Sequence, residues 1–494
     1  MRFFFRPAMC STGAAALALL AGCTVGPDFT PPAAPATKSY TPEAAPSLSN
    51  PGPGAPQQQL TPGEKVSGEW WDLFHSDRLD TVLRDALAGN QTLAAAQATV
   101  AAAREQAGQA EGALWPQVDF GASASRQRSI EQSVGLNELS PLSNFYQIGP
   151  NVSYALDLFG LNKRKVEQQT ALADYQDYQL DGAYLTLTGT AVKEAITIAS
   201  ARAQIAAIEA IIKDDDQTLD LVRREFNARN RTIVDVDTAR TQAATDRATL
   251  PQLRQQLAIA KDALSVLAGK APGDWTPPDF ELAEFALPQN LPLTVPSVLV
   301  RDRPDILAAE AQLHAASAAV GVATAQLYPN ITLSASLAQE ALKTGTLFTA
   351  GGTAWDIMAG LTAPIFHGGA LEAQKRGAED TLKAAFATYR QTVLTSFGQV
   401  ADTLQALDHD AQLVAAQQEA VASARSAHSA SQQSVAAGNI EVLQLVDAER
   451  QYEQARLGAI RAAAQRYLDT VDLFAAMGGG WREWRMAAAG KPQS

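Results

Sequence analysis

The chain contains an internal duplication, and this limits its fold more than any other feature. Leu114-Trp115-Pro116-Gln117-Val118 recurs roughly 210 residues later as Leu327-Tyr328-Pro329-Asn330-Ile331. Both copies end an Ala-rich helical stretch and open an alternating one. The first alternates through Val118, Phe120 and Ala122 to a polar stretch at Arg126, Gln127 and Arg128; the second runs through Ile331, Leu333, Ala335 and Leu337. A further alternating segment follows each: residues 147–158, with Ile148, Val152, Tyr154, Leu156 and Leu158, and residues 355–365, with Ile357, Ala359, Leu361, Ala363 and Ile365. Period-two alternation predicts strands, so each repeat offers one β-hairpin, with outer loops at 129–146 and 341–353. Strands of about ten such residues match the length that crosses a bilayer in a tilted barrel. Four strands cannot close a barrel, because their unpaired edges would lie in hydrocarbon. A membrane-spanning chain of this design must therefore oligomerise.

After each hairpin comes a turn, Leu158-Phe159-Gly160 or Phe366-His367-Gly368-Gly369, and then a helical stretch of about 65 residues, about 100 Å at ~1.5 Å per residue. The first carries a seven-residue column through Tyr184, Ala191, Ile198, Ile205, Ile212, Leu219 and Phe226. The second carries Phe386, Val393, Val400, Leu407, Val414, Val421, His428 and Val435, in phase across the duplication. A sustained heptad implies a coiled-coil seam. Each long helix breaks at a polar turn, 227–232 or 436–439, and returns. The first return helix includes Pro251, expected to kink or interrupt it; the second stops at Gly478-Gly479-Gly480. No unbroken apolar run of eighteen residues occurs, so any membrane crossing is expected to be by strands.

At the N-terminus, Arg2 and Arg6 precede an apolar run that closes on Leu20-Ala21-Gly22-Cys23, the pattern of a removable export signal. The tetrapeptide resembles the bacterial lipobox, in which Cys23 receives diacylglycerol and, after cleavage, an N-acyl chain; several chains on one residue anchor stably. An ordinary signal peptide with an incidental cysteine is the alternative. Thr24 stands where, in such lipoproteins, Asp favours inner-membrane retention, so the resemblance points to the outer membrane. Cys10 lies in the discarded segment, which leaves Cys23 alone and excludes an intrachain disulfide. The net charge of −13, more acidic still once Arg2 and Arg6 are removed, argues against nucleic acid.

The expected organisation is a signal peptide at 1–22, a lipid-anchored Pro-, Ala- and Gly-rich tether at 23–69, a first repeat at 70–270, a connection at 271–296, a second repeat at 297–477 and a flexible tail at 478–494. The fold class is α+β: a long antiparallel coiled-coil helical tunnel plus four strands per chain of an oligomeric transmembrane β-barrel.

Arg301-Asp302-Arg303-Pro304-Asp305-Ile306-Leu307-Ala308-Ala309-Glu310, Gly321-Val322-Ala323 and Leu327-Tyr328-Pro329, with Cys23-Thr24-Val25-Gly26-Pro27-Asp28 and Trp70-Trp71, resemble the TolC family in its lipoprotein branch typified by OprM and NodT. The resemblance covers nearly the whole mature chain. It implies a homotrimer closing a twelve-stranded barrel, continued by a helical tunnel across the periplasm. It also implies a periplasmic adaptor and an inner-membrane pump as partners, and small-molecule efflux as the function. Export of polypeptides by a one-step secretion system, and a structural periplasmic coiled-coil lipoprotein, are the competing readings. In that family acidic rings constrict the periplasmic tips. The matching positions are Glu441, with Asp235 and Asp237, which would form a ring selecting cations or bridged to basic residues when shut. Equally, they are solvated acids after a helix start.

No other chemistry is expected. The five histidines lack ligand spacing, so neither a metal nor any cofactor beyond the Cys23 lipid is anticipated. Asp214-Asp215-Asp216 could bind a cation but fits a solvated helix face better. No Ser, His and Asp grouping suggests an enzyme.

Overall fold

The computed structural model describes residues 24–42, 47–127 and 142–489. The signal segment, Cys23, residues 128–141 of the first outer loop and the last residues of the tail lie outside them. The chain divides into two compact units, one formed by residues up to Pro32, Val100–Gln176 and Ala309–Tyr389, the other by Ala33–Thr99, Asp177–Ala308 and Arg390 onward.

The first unit contains a four-stranded antiparallel sheet in the order β2 (Gln117–Gln127), β3 (Ser143–Leu156), β5 (Asn330–Ala341), β6 (Thr353–Thr362). The predicted hairpins are β2 with β3 and β5 with β6, and they join through β3 and β5. The register aligns Val118 with Val152, Val152 with Ala335, and Ala335 with Ile357. Because side chains alternate faces, that row and its neighbours Phe120, Tyr154, Leu333, Leu361 and Trp355 make one face apolar. Asp119, Ser123, Asn151, Ser334, Ser336 and Asp356 make the other polar. The apolar face is open: Phe120, Trp355, Ile357 and Leu361 are 71%, 72%, 78% and 67% exposed. Among the described residues β2 and β6 each have one partner, which leaves both outer edges unpaired. Pro150, inside β3, has no N–H to donate, and it lies where the β3–β5 register lapses between Ile148 and Asn151. Gly149 beside it lies so close to Leu337 O that no Cβ would fit.

The second unit is helical, and its core explains the heptads. Helices α1 (Asp77–Gly89) and α2 (Gln91–Gly112) come first in chain order. Tyr184, Ala191 and Ile198 of α3 (Leu161–Asn227) and Val400 and Leu407 of α7 (Ala370–Ala436) are fully buried. They pack in one cluster with Trp70, Phe74, Phe280, Leu291, Leu473 and Phe474. The return helices are α4 (Ile233–Leu267) and α8 (Val442–Ala476). Of the two outcomes expected at Pro251, a kink or an interruption, the second does not occur: helix α4 continues through it. Proline costs the helix a single backbone hydrogen bond, and Pro251 is exposed, so no neighbouring element constrains how the helix accommodates its ring. Helix α3 and the shorter α6 (Pro304–Ala325) are long and apolar enough by composition to cross a bilayer. Their most apolar windows are 50% and 67% buried, as in core helices.

Two segments are more ordered than the sequence indicated. The tether from residue 33 onward is docked: β1 (Gln59–Pro62) pairs in parallel with β4 (Asn290–Leu293) of the inter-repeat connection. Tyr40 Oη donates to Thr294 O at 2.6 Å, and buried Gln58 donates to Thr470 Oγ1 at 2.9 Å while accepting from Arg466 Nε at 2.9 Å. Few apolar side chains are needed, since backbone and amide hydrogen bonds hold the segment. The tail is not flexible throughout: Trp481–Ala489 forms a helix, α9. Trp481 is 4% exposed and donates from Nε1 to Asp302 O at 2.6 Å, while Trp484 stacks on Tyr184 at 4.2 Å. Gly478, Gly479 and Gly480 all have positive φ, and this glycine-only turn folds the two indoles back onto the core.

Candidate functional site

The two helical turns form one structure. Leu219 and Val222 of α3, Val236 and Ala239 of α4, Val435 of α7, and Val442, Leu445 and Val446 of α8 make a single apolar cluster. The turns themselves are copies. Asn230 N donates to Glu225 O and Asn439 N to Ser434 O, both at 2.9 Å, and each encloses a residue with positive φ. In the second turn that residue is Gly438 (φ 74°); in the first it is Arg229 (φ 64°), where a Cβ is strained. Arg229→Gly is therefore expected to stabilise the protein by ~1 kcal/mol, read as a raised denaturation midpoint, with Gly438→Arg lowering it.

The copies diverge at the residue that opens each return helix. Thr232 caps α4 through a capping box: its hydroxyl accepts from Asp235 N, and Asp235 Oδ2 accepts from Thr232 N at 2.8 Å. Those hydrogen bonds hold the Asp235 carboxyl below the ordinary carboxylate range. Glu441, in the matching place, makes no side-chain cap. It reaches across to the other repeat and accepts from Arg231 Nη1 at 2.8 Å. The structure thus pairs Glu441 with a base, uses Asp235 as a cap and leaves Asp237 exposed. Arg231 was not singled out from the sequence, although it lies within the polar turn that was. Ile233, Val234 and Leu443 leave this end of the helices with exposed apolar side chains.

In the first unit, the residues just after Cys23 are pinned to the junction between β3 and α3. Val25 N donates to Phe159 O at 3.1 Å. Arg164, only 4% exposed, donates to Val25 O at 3.2 Å, Asp28 Oδ1 at 2.7 Å and Glu167 Oε2 at 2.7 Å. Phe29 stacks on His314 at 4.3 Å. Aromatic side chains collect at the same end of the sheet: Trp115 (71% exposed), Phe366 (86% exposed), and Phe159 stacked on Tyr328 at 4.7 Å.

The Asp214-Asp215-Asp216 run is not a uniformly solvated face. Successive helical residues are turned by about 100°, so Asp214 and Asp216 are exposed while Asp215 points inward and is buried. Burial first, and then the neighbouring Asp246 and Glu449, push Asp215 up to about 8. Burial and the same acidic neighbourhood raise Glu449 to about 7 and Glu453 to about 9.

Comparison with known proteins matches these features to one family. A profile described as outer membrane efflux protein matches residues 82–270 and 295–479. A probable outer membrane lipoprotein, SilC of Salmonella typhimurium, is 27% identical over 94% of this chain and 97% of its own. The pyoverdine export outer membrane protein OpmQ of Pseudomonas aeruginosa is 30% identical over 86% of this chain and 90% of its own. The solved structure of the outer-membrane channel OprN superposes with a TM-score of 0.85 at 26% identity, covering 93% of this chain and all of that one.

Proposed function

Because the chain belongs to the outer membrane efflux protein family, we propose that it is the outer-membrane channel subunit of a tripartite efflux pump. In this reading it passes small molecules, whether drugs, toxic compounds or metals, to the exterior. A homotrimer supplies the missing strand partners, the edges of β2 and β6 closing against neighbouring chains. One observation carries the reading: an antiparallel sheet with an open apolar face, a polar opposite face and two unpaired edges. Such a sheet suits a barrel wall, lipid outside and water inside. Trp115, Tyr328, Phe159 and Phe366 then form part of the interfacial aromatic belt. In this reading the Arg164 contacts hold residues 25–28 beside that belt, and lipid on Cys23 would enter the same leaflet. The exposed apolar residues at the helical tips provide a surface for a periplasmic adaptor, which in turn reaches an inner-membrane pump.

The Arg231–Glu441 bridge serves as the tip latch. An exposed pair contributes ~0.2–1 kcal/mol, and three around a ring at most about 3 kcal/mol, roughly a hundredfold in open probability. Glu441→Gln is expected to raise open probability by up to that factor in planar bilayers and to move ion selectivity away from cations. Unchanged gating and selectivity would remove Glu441 from the latch. Failure of the wild-type protein to run as a heat-dissociable trimer from outer-membrane extracts would overturn the channel reading itself.

A further inference from the structure

Inside the helical unit, four carboxylates from three helices converge away from the tip latch. Asp215 comes from α3, Asp246 from α4, and Glu449 and Glu453 from successive turns of α8. Their residues are 3%, 8%, 3% and 4% exposed. One oxygen each from Asp215, Glu449 and Glu453 lies within 4.8 Å of the other two. Independently of that proximity, Asp215 Oδ2, Glu449 Oε1 and Glu453 Oε1 are buried without any hydrogen-bond partner. The charge of Arg247 reaches Asp215, but that guanidinium pairs with Asp216 at the surface. Gln242 Nε2 donates to Asp246 Oδ2 at 2.7 Å and leaves the three free oxygens unanswered.

Buried carboxyl groups take up a proton, pair with a base or coordinate a metal, and a cation that displaces the protons answers all three free oxygens at once. Oxygens on opposite sides of an ion held at 2.3–2.6 Å stand about 5 Å apart, and the observed spacing falls within that limit. An all-oxygen set of flexible acidic side chains suits calcium better than magnesium, which needs near-ideal octahedral geometry, or zinc, which favours nitrogen and sulfur. We propose that Asp215, Glu449 and Glu453, backed by Asp246, bind one calcium-type divalent cation per chain. The ion would staple the outgoing helix of the first repeat to the return helix of the second. It would lie about 18 Å along α3 from its end at Asn227, at ~1.5 Å per residue, and so stiffen the shaft behind the tip.

The experiment is equilibrium dialysis of the chelator-stripped, full-length protein in detergent against radiolabelled calcium at fixed pH. The expected result is about one ion per chain, lost in the isosteric triple variant Asp215→Asn, Glu449→Gln, Glu453→Gln and retained in Asp237→Asn. Glu453→Gln alone, which removes one ligand and keeps the packing, is expected to weaken binding at least tenfold. Calcium should also raise the unfolding temperature of the wild type and not that of the triple variant. No binding at millimolar calcium, or full binding by a folded Glu453→Gln variant, would overturn the proposal.

Discussion

Lysine at Ile357 is expected to abolish the heat-stable oligomer and its recovery from the outer membrane. Ile357 sits near the middle of edge strand β6, paired with Ala335 and 78% exposed on the apolar face. In water such a substitution would be almost neutral, since the side chain already meets solvent. In a bilayer, a lysine near the midplane of a barrel's lipid face costs ~2–4 kcal/mol per chain, about 6–12 kcal/mol in a trimer. The adjacent Met358, 59% exposed, points to the polar face, so Met358→Lys is the matched control and should assemble. Unheated gel migration and membrane fractionation report both. Equal behaviour of the two variants would overturn the assignment of faces.

Replacing Arg303 by alanine is expected to lower stability by about 1–3 kcal/mol, the cost of leaving the buried Ala476 carbonyl without its donor, while the partly exposed Asp305 carboxylate adds little. Arg303, 7% exposed, sits between α5 (Pro296–Asp302) and α6 and ties three segments together. It engages Asp305 with Nε to Oδ1 at 3.0 Å and Nη2 to Oδ2 at 2.7 Å, donates to Gln399 Oε1 at 2.7 Å on α7, and to Ala476 O at 2.9 Å at the end of α8. Lysine has no planar fork, so Arg303→Lys should recover less than half of the loss. Burial would raise the Asp305 carboxyl, yet the Arg303 hydrogen bonds hold it below the ordinary range. A depressed folded-state value contributes stability above the unfolded carboxylate pKa and loses it as pH falls through the folded one. The wild type should therefore lose this increment below about pH 4, and Arg303→Ala should lack that step. Thermal unfolding across pH measures both.

Arg303 also shows what could and could not be read in advance. The Arg303-Pro304-Asp305 run was recognisable as a family signature, but nothing local revealed that the guanidinium would reach Ala476. Strand alternation was legible because period two is a local property; β3 nevertheless begins at Ser143, before the expected residue 147, and β6 ends at Thr362, short of 365. The heptad columns likewise gave the buried stretches Tyr184 to Ile198 of α3 and Val393 to Val414 of α7, but not their ends, where Phe226 and Phe386 are exposed. The β1–β4 pairing was not visible, since it is made by backbone atoms of two proline-containing stretches far apart in the chain. Glu441 could be named from its place after a turn, but its partner Arg231 belongs to the other repeat. The same separation hid the inward aim of Asp215, whose companions lie on α4 and α8.

The junction of the two hairpins through β3 and β5 bears on how such a wall is built. It joins the second strand of one repeat to the first strand of the next, and β6 against β2 of a neighbouring chain would make the same kind of joint. In the proposed trimer the barrel would be a ring of six equivalent hairpins in which covalent linkage has already closed every other joint. Linked hairpins meet at the high effective concentration set by their tether, independent of how many copies the cell makes. Only two encounters between chains would then depend on supply, against five for six separate hairpins, so the duplication would lower the kinetic order of assembly and leave fewer half-built walls with bare strand edges.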